Sequence, residues 1–589
     1  MKTKKIVTLI LASMLAVSSL AACSNGGGTG ATDATTGAGG ETQATSGEKE
    51  IVDFTMFAAM SGKEKDANND IQEIIAQKTG VRVKETWLTG QDAGEAIGSI
   101  IASGKLPDLI DGGDGSVTLY ENGLLVAWDD YLEKYPNLKE MYTDEEWDKF
   151  RMDDGHIYWA NVFGNSYNHI NTATGQNGEA FWIQVRVLEW ANYPKIETLD
   201  EYFKLLEDYA AANPELPDGT PVIPYTCLCE DWKYYCLENA PMFLDGYPND
   251  GCCIVNIDAG MDKPKVVDYN TTDTAKMYFK KLNEEYAKGA IDPDFATQTY
   301  DEYIAKLSTG RVLGLCDQYW DFAYNIMGPF ASPLQATDGT EFRLDQIGCD
   351  YVPLGLVAKK GMSQQWHSYD DELNQSSGCA VTTSCKDPDL AFAFLSALLD
   401  QDIHDLRFWG IEGVDYLVDE NGLYYRTEEM RENWKSDSYK AKHTCEYSYC
   451  PQWMGMSRDG INRMQPGEQP SEFVLGLAEP LKKCFDAYGV GTYVEFLDSE
   501  KVVNAPWYPL WSWSNSISSD TPGGVAWKKM GETKHLWLPT VVMSKDFESD
   551  WAAYQAAYAE CEPEKFLEEA QAEVNKRLET AQSYGWTPN

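Results

Sequence analysis

The sequence predicts an α/β protein of two lobes, and three observations predict it. A β-α-β-α-β run opens the body of the chain at residue 51, helical and strand-like pieces then recur with short linkers to the end, and 589 residues are too many for one hydrophobic core. Residues 52–58 (VDFTMFA) alternate as a strand does. Residues 67–78 carry Ile71, Ile74 and Ile75 at helical spacing and stop at Gly80, and 81–88 (VRVKETWL) form a second strand. A helix follows over 93–103, with Ile97, Ile100 and Ile101 facing inward and Gly104 as its stop. Residues 106–110 (LPDLI) are the third strand. Such a run argues a parallel sheet flanked by helices, with ligands at the carboxyl ends of its strands. That rule singles out the loop 111–116 (DGGDGS) and Asp114 within it. The loop lacks the Gly-x-x-x-x-Gly-Lys pattern of a phosphate cradle.

Further along, the spacing predicts helices over 198–213, 272–288, 299–309 and 388–400, strands over 311–316 and 378–382, and a hairpin over 420–426 turning at Asn421-Gly422. One amphipathic helix is predicted over 562–584. Nothing after residue 23 is long and apolar enough to span a membrane.

Composition limits the partners. The chain has 93 acidic against 48 basic residues, and no basic cluster beyond its first five residues, which argues against a groove for nucleic acid or anionic lipid. Lys2, Lys4 and Lys5, an apolar run over 6–20, and then Leu20-Ala21-Ala22-Cys23 (LAAC) predict a lipoprotein signal peptide over 1–22, with Cys23 as the residue that carries the lipid (palmitate). Residues 24–48 contain no aromatic residue and no Leu, Ile or Val, so 23–50 is expected to be a flexible tether. No cofactor is predicted. His443, Cys445 and Cys450 have poor spacing for zinc, so no metal is predicted either.

The order of these features carries a resemblance. The lipobox and tether, then DIQEIIAQKTGVRVKETWL, IASGKLPDLID and YENGLLVAWDDYLEKYPNL, and further on AFWIQVRVLEWANYPKIETLDEYFKLLEDY, CAVTTSCKDPDLAFAFLSALL and WGIEGVDYLVDENGLYYR, resemble extracellular solute-binding proteins of family 1. These are the receptor components of carbohydrate ABC importers, and within the family the chain looks like the large lipoprotein branch of Gram-positive bacteria that serves oligosaccharide uptake. The resemblance implies a periplasmic-binding-protein-like fold with a hinge and an interlobe ligand cleft. It places the first lobe at 51–165 and 376–450, and the second at 166–375 with the C-terminal helical part, 451–589. It also implies a cell-membrane-anchored, extracellular monomer that captures an oligosaccharide, delivers it to ABC permease subunits, and catalyses nothing.

A sugar ring offers an apolar face and a fringe of hydroxyls, so its site wants aromatic platforms beside Asp, Asn, Glu, Gln and Arg. The chain has 19 Trp and 34 Tyr. The expected ligand contacts are Trp320 with Asp317 (CDQYWDF), Trp182 with Arg186 (FWIQVR), Trp409 (RFWGIEG), Trp453 (YCPQWMG), Asp114, and Trp507, Trp511 and Trp513 of APWYPLWSWSN. Pro506 and Pro509 bar a regular helix through the start of that last stretch, so its rings cannot form one helical stripe; one of them is expected near the ligand. Two alternatives stand beside this reading. A peptide-binding ABC receptor would favour charged partners for peptide termini. A surface glycoside hydrolase would need a carboxylate pair, and neither His-Glu-x-x-His nor Gly-x-Ser-x-Gly is present.

Overall fold

A computed structural model of the protein describes residues 51–589 apart from 63–67, 171, 249, 368–372, 500–504 and 589. The predicted signal peptide of 1–22, the expected lipidation residue Cys23 and the expected tether of 23–50 lie outside the described residues. Two four-stranded sheets are built from β1 (Val52–Ala58), β2 (Val81–Trp87), β3 (Leu109–Asp111), β4 (Glu179–Gln184), β5 (Ile223–Thr226), β6 (Val312–Gln318), β7 (Tyr351–Leu354) and β8 (Ala380–Val381). The first sheet has the order β8-β3-β1-β2, with β1 parallel to β2 and β3 and β8 antiparallel at the edge. The second has the order β7-β4-β6-β5; β5 and β6 are parallel, and β4 runs against both β6 and β7.

Local chemistry sets the boundaries. The first helix, Asp70–Thr79, begins where the Asn69 side chain accepts the Gln72 N–H, and ends at Gly80 in the left-handed region (φ 82°). Ala93–Ser103 is capped in the same way by Asp92 and Gly104. The third strand starts later than the predicted 106–110 because Pro107 has no N–H to give a ladder and the Asp108 carboxylate instead accepts the Thr55 N–H at 2.8 Å. The predicted hairpin is wider than Asn-Gly implies. Its strands are Leu417–Val418 and Tyr424–Tyr425, and the loop between them is held by Asp419 Oδ1, which accepts the Asn421 and Leu423 N–H groups. The long helix Pro522–Val542 carries no signal that the sequence reading used.

Each sheet has its own core. The first gathers Phe54, Ile71, Ile97, Leu109, Trp128, Phe392 and Leu395; the second gathers Phe181, Tyr202, Leu206, Val312 and Phe322 with Trp551, Phe566 and Val574 of the C-terminal helices. Trp453 and Met464, grouped by the sequence with the C-terminal part of the second lobe, pack in the first core. The chain passes between the cores in three places: between residues 162 and 180, 366 and 379, and 464 and 481. The crossings are laced together. Thr172 and Thr174 donate to Glu468 Oε2 and the Gly467 carbonyl, and Trp159 Nε1 donates to the Gln375 carbonyl at 2.9 Å. At the far end the Tyr584 hydroxyl reaches from the second lobe to Asp148 of the first, at 2.6 Å. Among the described residues, no helix is long and apolar enough to cross a membrane.

Candidate functional site

Parallel strands send their connections out at one edge, and both lobes use that edge. In the first lobe, β3 ends at Asp111 and the chain turns through Gly112 to Ser116. Gly113 is in the left-handed region (φ 50°), and a Cβ on Gly115 would lie 2.5 Å from Ile97, so glycine is what lets the loop press against the helix Ala93–Ser103. The Asp111 carboxylate is turned inward, accepts the Gly113 N–H at 3.0 Å, and is pushed up to about 6 by burial. Asp114 keeps accessible surface, yet desolvation pushes its carboxyl up to about 6, with Asp231 and Asp92 adding to the shift. Accessible and desolvated together describe the wall of a concavity. β2 ends at Trp87, whose ring covers Gly62 and meets Tyr449 edge-on at 5.5 Å; Phe163, 43% exposed, also meets Tyr449 edge-on, at 5.2 Å.

In the second lobe, β5 leads to the 3-10 turn Asp231–Tyr234 and β6 runs directly into the helix Tyr319–Ala331. Trp232 and Trp320, one after each strand, lie with nearly parallel ring planes (11°) and centroids 5.8 Å apart. Both are half-buried, so each keeps part of its surface open. The Trp320 indole N–H is fixed by Gln318 at 2.5 Å. The Lys233 ammonium sits over the rings of Trp232 and Tyr300, at 4.8 and 4.2 Å. The Tyr300 hydroxyl donates to the Asp321 carbonyl and accepts from Asn325. Tyr324 is 60% exposed, but desolvation raises its hydroxyl to about 12, with Glu446 and Glu468 adding; it too lines a concave surface.

The two sets lie within electrostatic reach of each other. Asp231 of the second lobe acts on Asp114 of the first, Asp321 acts on Tyr449, and Tyr449 acts on Tyr300. Flat apolar rings, fixed amides and carboxylates thus line one interlobe cleft. It can stack a ring-shaped ligand and accept hydrogen bonds from its hydroxyls. Among the described residues, no group of three or more His, Cys, Asp or Glu could hold a metal ion.

Of the residues singled out in the sequence, Trp320 and Asp114 lie in this cleft. Most of the others do not. Trp182 is fully buried, its N–H bonded to the Asp317 carbonyl at 2.8 Å. Asp317 is equally buried and accepts from Tyr235, Tyr303 and Cys236, which exhausts its reach toward a ligand. Arg186 follows β4, which is antiparallel to β6, so it emerges at the wrong edge; there its guanidinium holds Gln184 and the Gly310 carbonyl. Trp409 is buried with its N–H on the Arg463 carbonyl, and Trp453 is buried against Tyr167.

In the aromatic stretch, Trp507 is core. Trp513 stacks on Phe566 at 5.7 Å, and Trp511 is half-buried over the backbone of Gly251. The expected ligand ring there becomes packing for the C-terminal helices, and Arg577 fastens the stretch by donating to the Trp507 and Pro509 carbonyls, both at 2.8 Å. Sequence reasoning missed Trp232, Tyr300, Tyr324, Tyr449 and Asp231. The carboxyl-end rule would have reached Trp232, but its strand, IPYT, is four residues long and contains a proline.

No family model and no curated protein matches the sequence. Solved structures do match the fold. The alginate-binding protein AlgQ2 aligns at TM-score 0.57 and 15% identity over 90% of this chain and 99% of its own. An HMO-binding, ABC-transporter-associated solute-binding protein from Bifidobacterium longum infantis aligns at TM-score 0.55 and 15% identity, with the same coverage. The S. pneumoniae ABC-transporter substrate-binding protein FusA, an EF-hand mutant in complex with fructo-nystose, aligns at TM-score 0.56 and 17% identity over 89% of this chain and 99% of its own. Each is matched from end to end, so the chain has the two-lobed α/β fold of the extracellular solute-binding proteins.

Proposed function

We propose that the protein is an extracellular solute-binding receptor that captures an oligosaccharide between its lobes and delivers it to an ABC permease. The observation that carries the reading is the near-parallel pair Trp232 and Trp320, placed at the carboxyl ends of β5 and β6 and faced by Asp114 and Tyr449 from the other lobe. Sugars are what such a surface holds best: their C–H faces stack on indole while carboxylates and amides orient their hydroxyls. The solved structures that share the fold include proteins described as binding alginate, HMO and N-glycan fragments, which supports the same class of ligand. Ligand bound to both walls favours the closed arrangement, and closure by this differential affinity is what a permease would recognise. The LAAC motif supports attachment of the mature chain to the membrane through lipid on Cys23. The protein acts as a monomer and turns nothing over.

Isothermal calorimetry of residues 48–589 against a glycan panel is the deciding measurement. Heat on mixing with one or more oligosaccharides is expected, with the sugar recovered intact. Binding of oligopeptides and of no sugar would overturn the reading in favour of a peptide receptor. Release of new reducing ends over hours would overturn it in favour of a hydrolase.

A further inference from the structure

The parallel indoles Trp232 and Trp320 stand on separate elements, so something must hold them at one spacing. Trp232 sits in the turn Asp231–Tyr234, which no side chain caps and which opens on a non-glycine residue in the left-handed region, Asp231 at φ 49°. Backbone of that kind persists only where its surroundings over-determine it. Trp320 belongs to the first turn of the helix Tyr319–Ala331. Tyr300 is the joint between them. Its N–H donates to Glu230 Oε2 at the root of the turn, while its hydroxyl donates to the Asp321 carbonyl and accepts from Asn325 of the helix at 3.0 Å. Lys233 closes the circuit, with its ammonium 4.8 Å from the centre of the Trp232 ring and 4.2 Å from that of Tyr300. In a chain with 93 acidic residues, this cation is laid against two rings.

The spacing of the pair limits how a sugar can use it. A sugar slotted between two indoles needs its carbons about 3.5–4 Å from each, and so ring planes about 7–8 Å apart. With centroids 5.8 Å apart the planes are too close for that, so a ligand stacks on the outside of the pair and each indole sets the surface that the other presents. Resting on the glycan reading above, we propose that Lys233 is a positioning residue for this platform: its ammonium clamps Trp232 to Tyr300 and so fixes the Trp232–Trp320 stack before a ligand arrives. A cation does this where an apolar side chain of the same length would not, because the ring quadrupole draws it to the ring face. Lys233 acts through the rings and does not touch the sugar. Its gain is in the ordering cost that a loose platform would add to binding.

Two measurements test the clamp. In the ligand-free protein labelled with 5-fluorotryptophan, the fluorine signals of Trp232 and Trp320 are those lost in Trp232→Phe and Trp320→Phe. Lys233→Met, similar in length but uncharged, should shift or broaden both signals, and Lys233→Arg, which keeps a cation over the rings, should leave them near their wild-type positions. The second measurement is calorimetry with neutral tetrasaccharides of glucose, xylose and mannose, on variants whose thermal melts show them folded. Lys233→Met should raise Kd about tenfold, and Lys233→Arg should recover most of that loss. In a Trp232→Ala background Lys233→Met should cost less than about threefold, because the ring it positions is gone. Fluorine signals that Lys233→Met leaves unmoved overturn the clamp, and so does an unchanged Kd. A full tenfold loss in the Trp232→Ala background also overturns it, by making Lys233 a direct ligand contact. If no tetrasaccharide binds the wild type while the fluorine signals move as expected, the glycan reading falls and the clamp stands.

Discussion

Indoles in this chain divide by what covers their second face, and the division can be measured. Trp320 and Trp232 keep open surface in the cleft, whereas Trp182 is sealed beneath Tyr319 and Phe322. Trp320→Ala or Trp232→Ala should therefore weaken sugar binding by about 2 kcal/mol, roughly 30-fold in Kd, and leave the urea midpoint nearly unmoved. Trp182→Ala should do the reverse, costing about 3–5 kcal/mol of stability in urea denaturation, because it opens a cavity and strands the Asp317 carbonyl. A large drop in stability from Trp320→Ala would move that ring from the cleft into the core. Sequence alone could not make the distinction. Every residue of β4 is buried, so the strand shows no alternation, and Trp182 beside Gln184 reads the same whether it faces a helix or a ligand. Asp114 and Trp320 were legible because they sit directly after strands with a clear pattern, where the topology itself points to a cleft.

Elements were most legible where side chains write their own punctuation. Asn69, Asp92, Thr272 and Thr299 cap helices whose starts the spacing had already marked, and Gly80, Gly104 and Gly289 end them in left-handed geometry. Short strands such as β5 and β7 were obscure because four residues hold too little pattern, and their pairing partners lie far away in sequence. The loop after β3 shows how an element positions a site residue. An alanine at 115 would bring its Cβ to 2.5 Å from the Ile97 side chain, and this contact can be relieved only by lifting the loop, and Asp114 with it, off the helix. Gly115→Ala should cost about 1–3 kcal/mol of stability and weaken ligand binding as well. Combined with Ile97→Gly, which removes the Cβ at 2.8 Å as well as the Cγ1 at 2.5 Å, the loss should be clearly smaller than the sum of the two single losses in a double-mutant cycle. Strict additivity would show that the two residues do not press on each other.

The molecule as a whole is built to be more stable in mild acid than in base. Its formal net charge is −45 at pH 7, so proton uptake relieves self-repulsion. Buried carboxyls act in the same direction. Burial pushes Asp111 and Asp317 up to about 6 and Asp250 up to about 8, from an ordinary value of 3.8. Between the ordinary and the raised value the folded chain holds a proton that the unfolded chain has lost, so unfolding free energy falls as pH rises through that window. The opposite sign belongs to Glu73, Glu201 and Asp148, which Arg82, Lys360 and Tyr584 hold below the ordinary range; what they contribute is lost only when pH falls below about 4. The two sets place the stability maximum near pH 5, and the melting temperature there should exceed that at about pH 8.5 by roughly 5 °C or more. Asp250 isolates the effect, being fully buried with Arg577 as its nearby opposite charge. Asp250→Asn keeps the shape and removes the titration, so its stabilisation over wild type should grow steadily from about pH 4 to about pH 8 and then level off. Urea melts at intervals across that range would read the curve directly. A difference between variant and wild type that stays flat with pH would mean that Asp250 is ionised in the fold, compensated by Arg577.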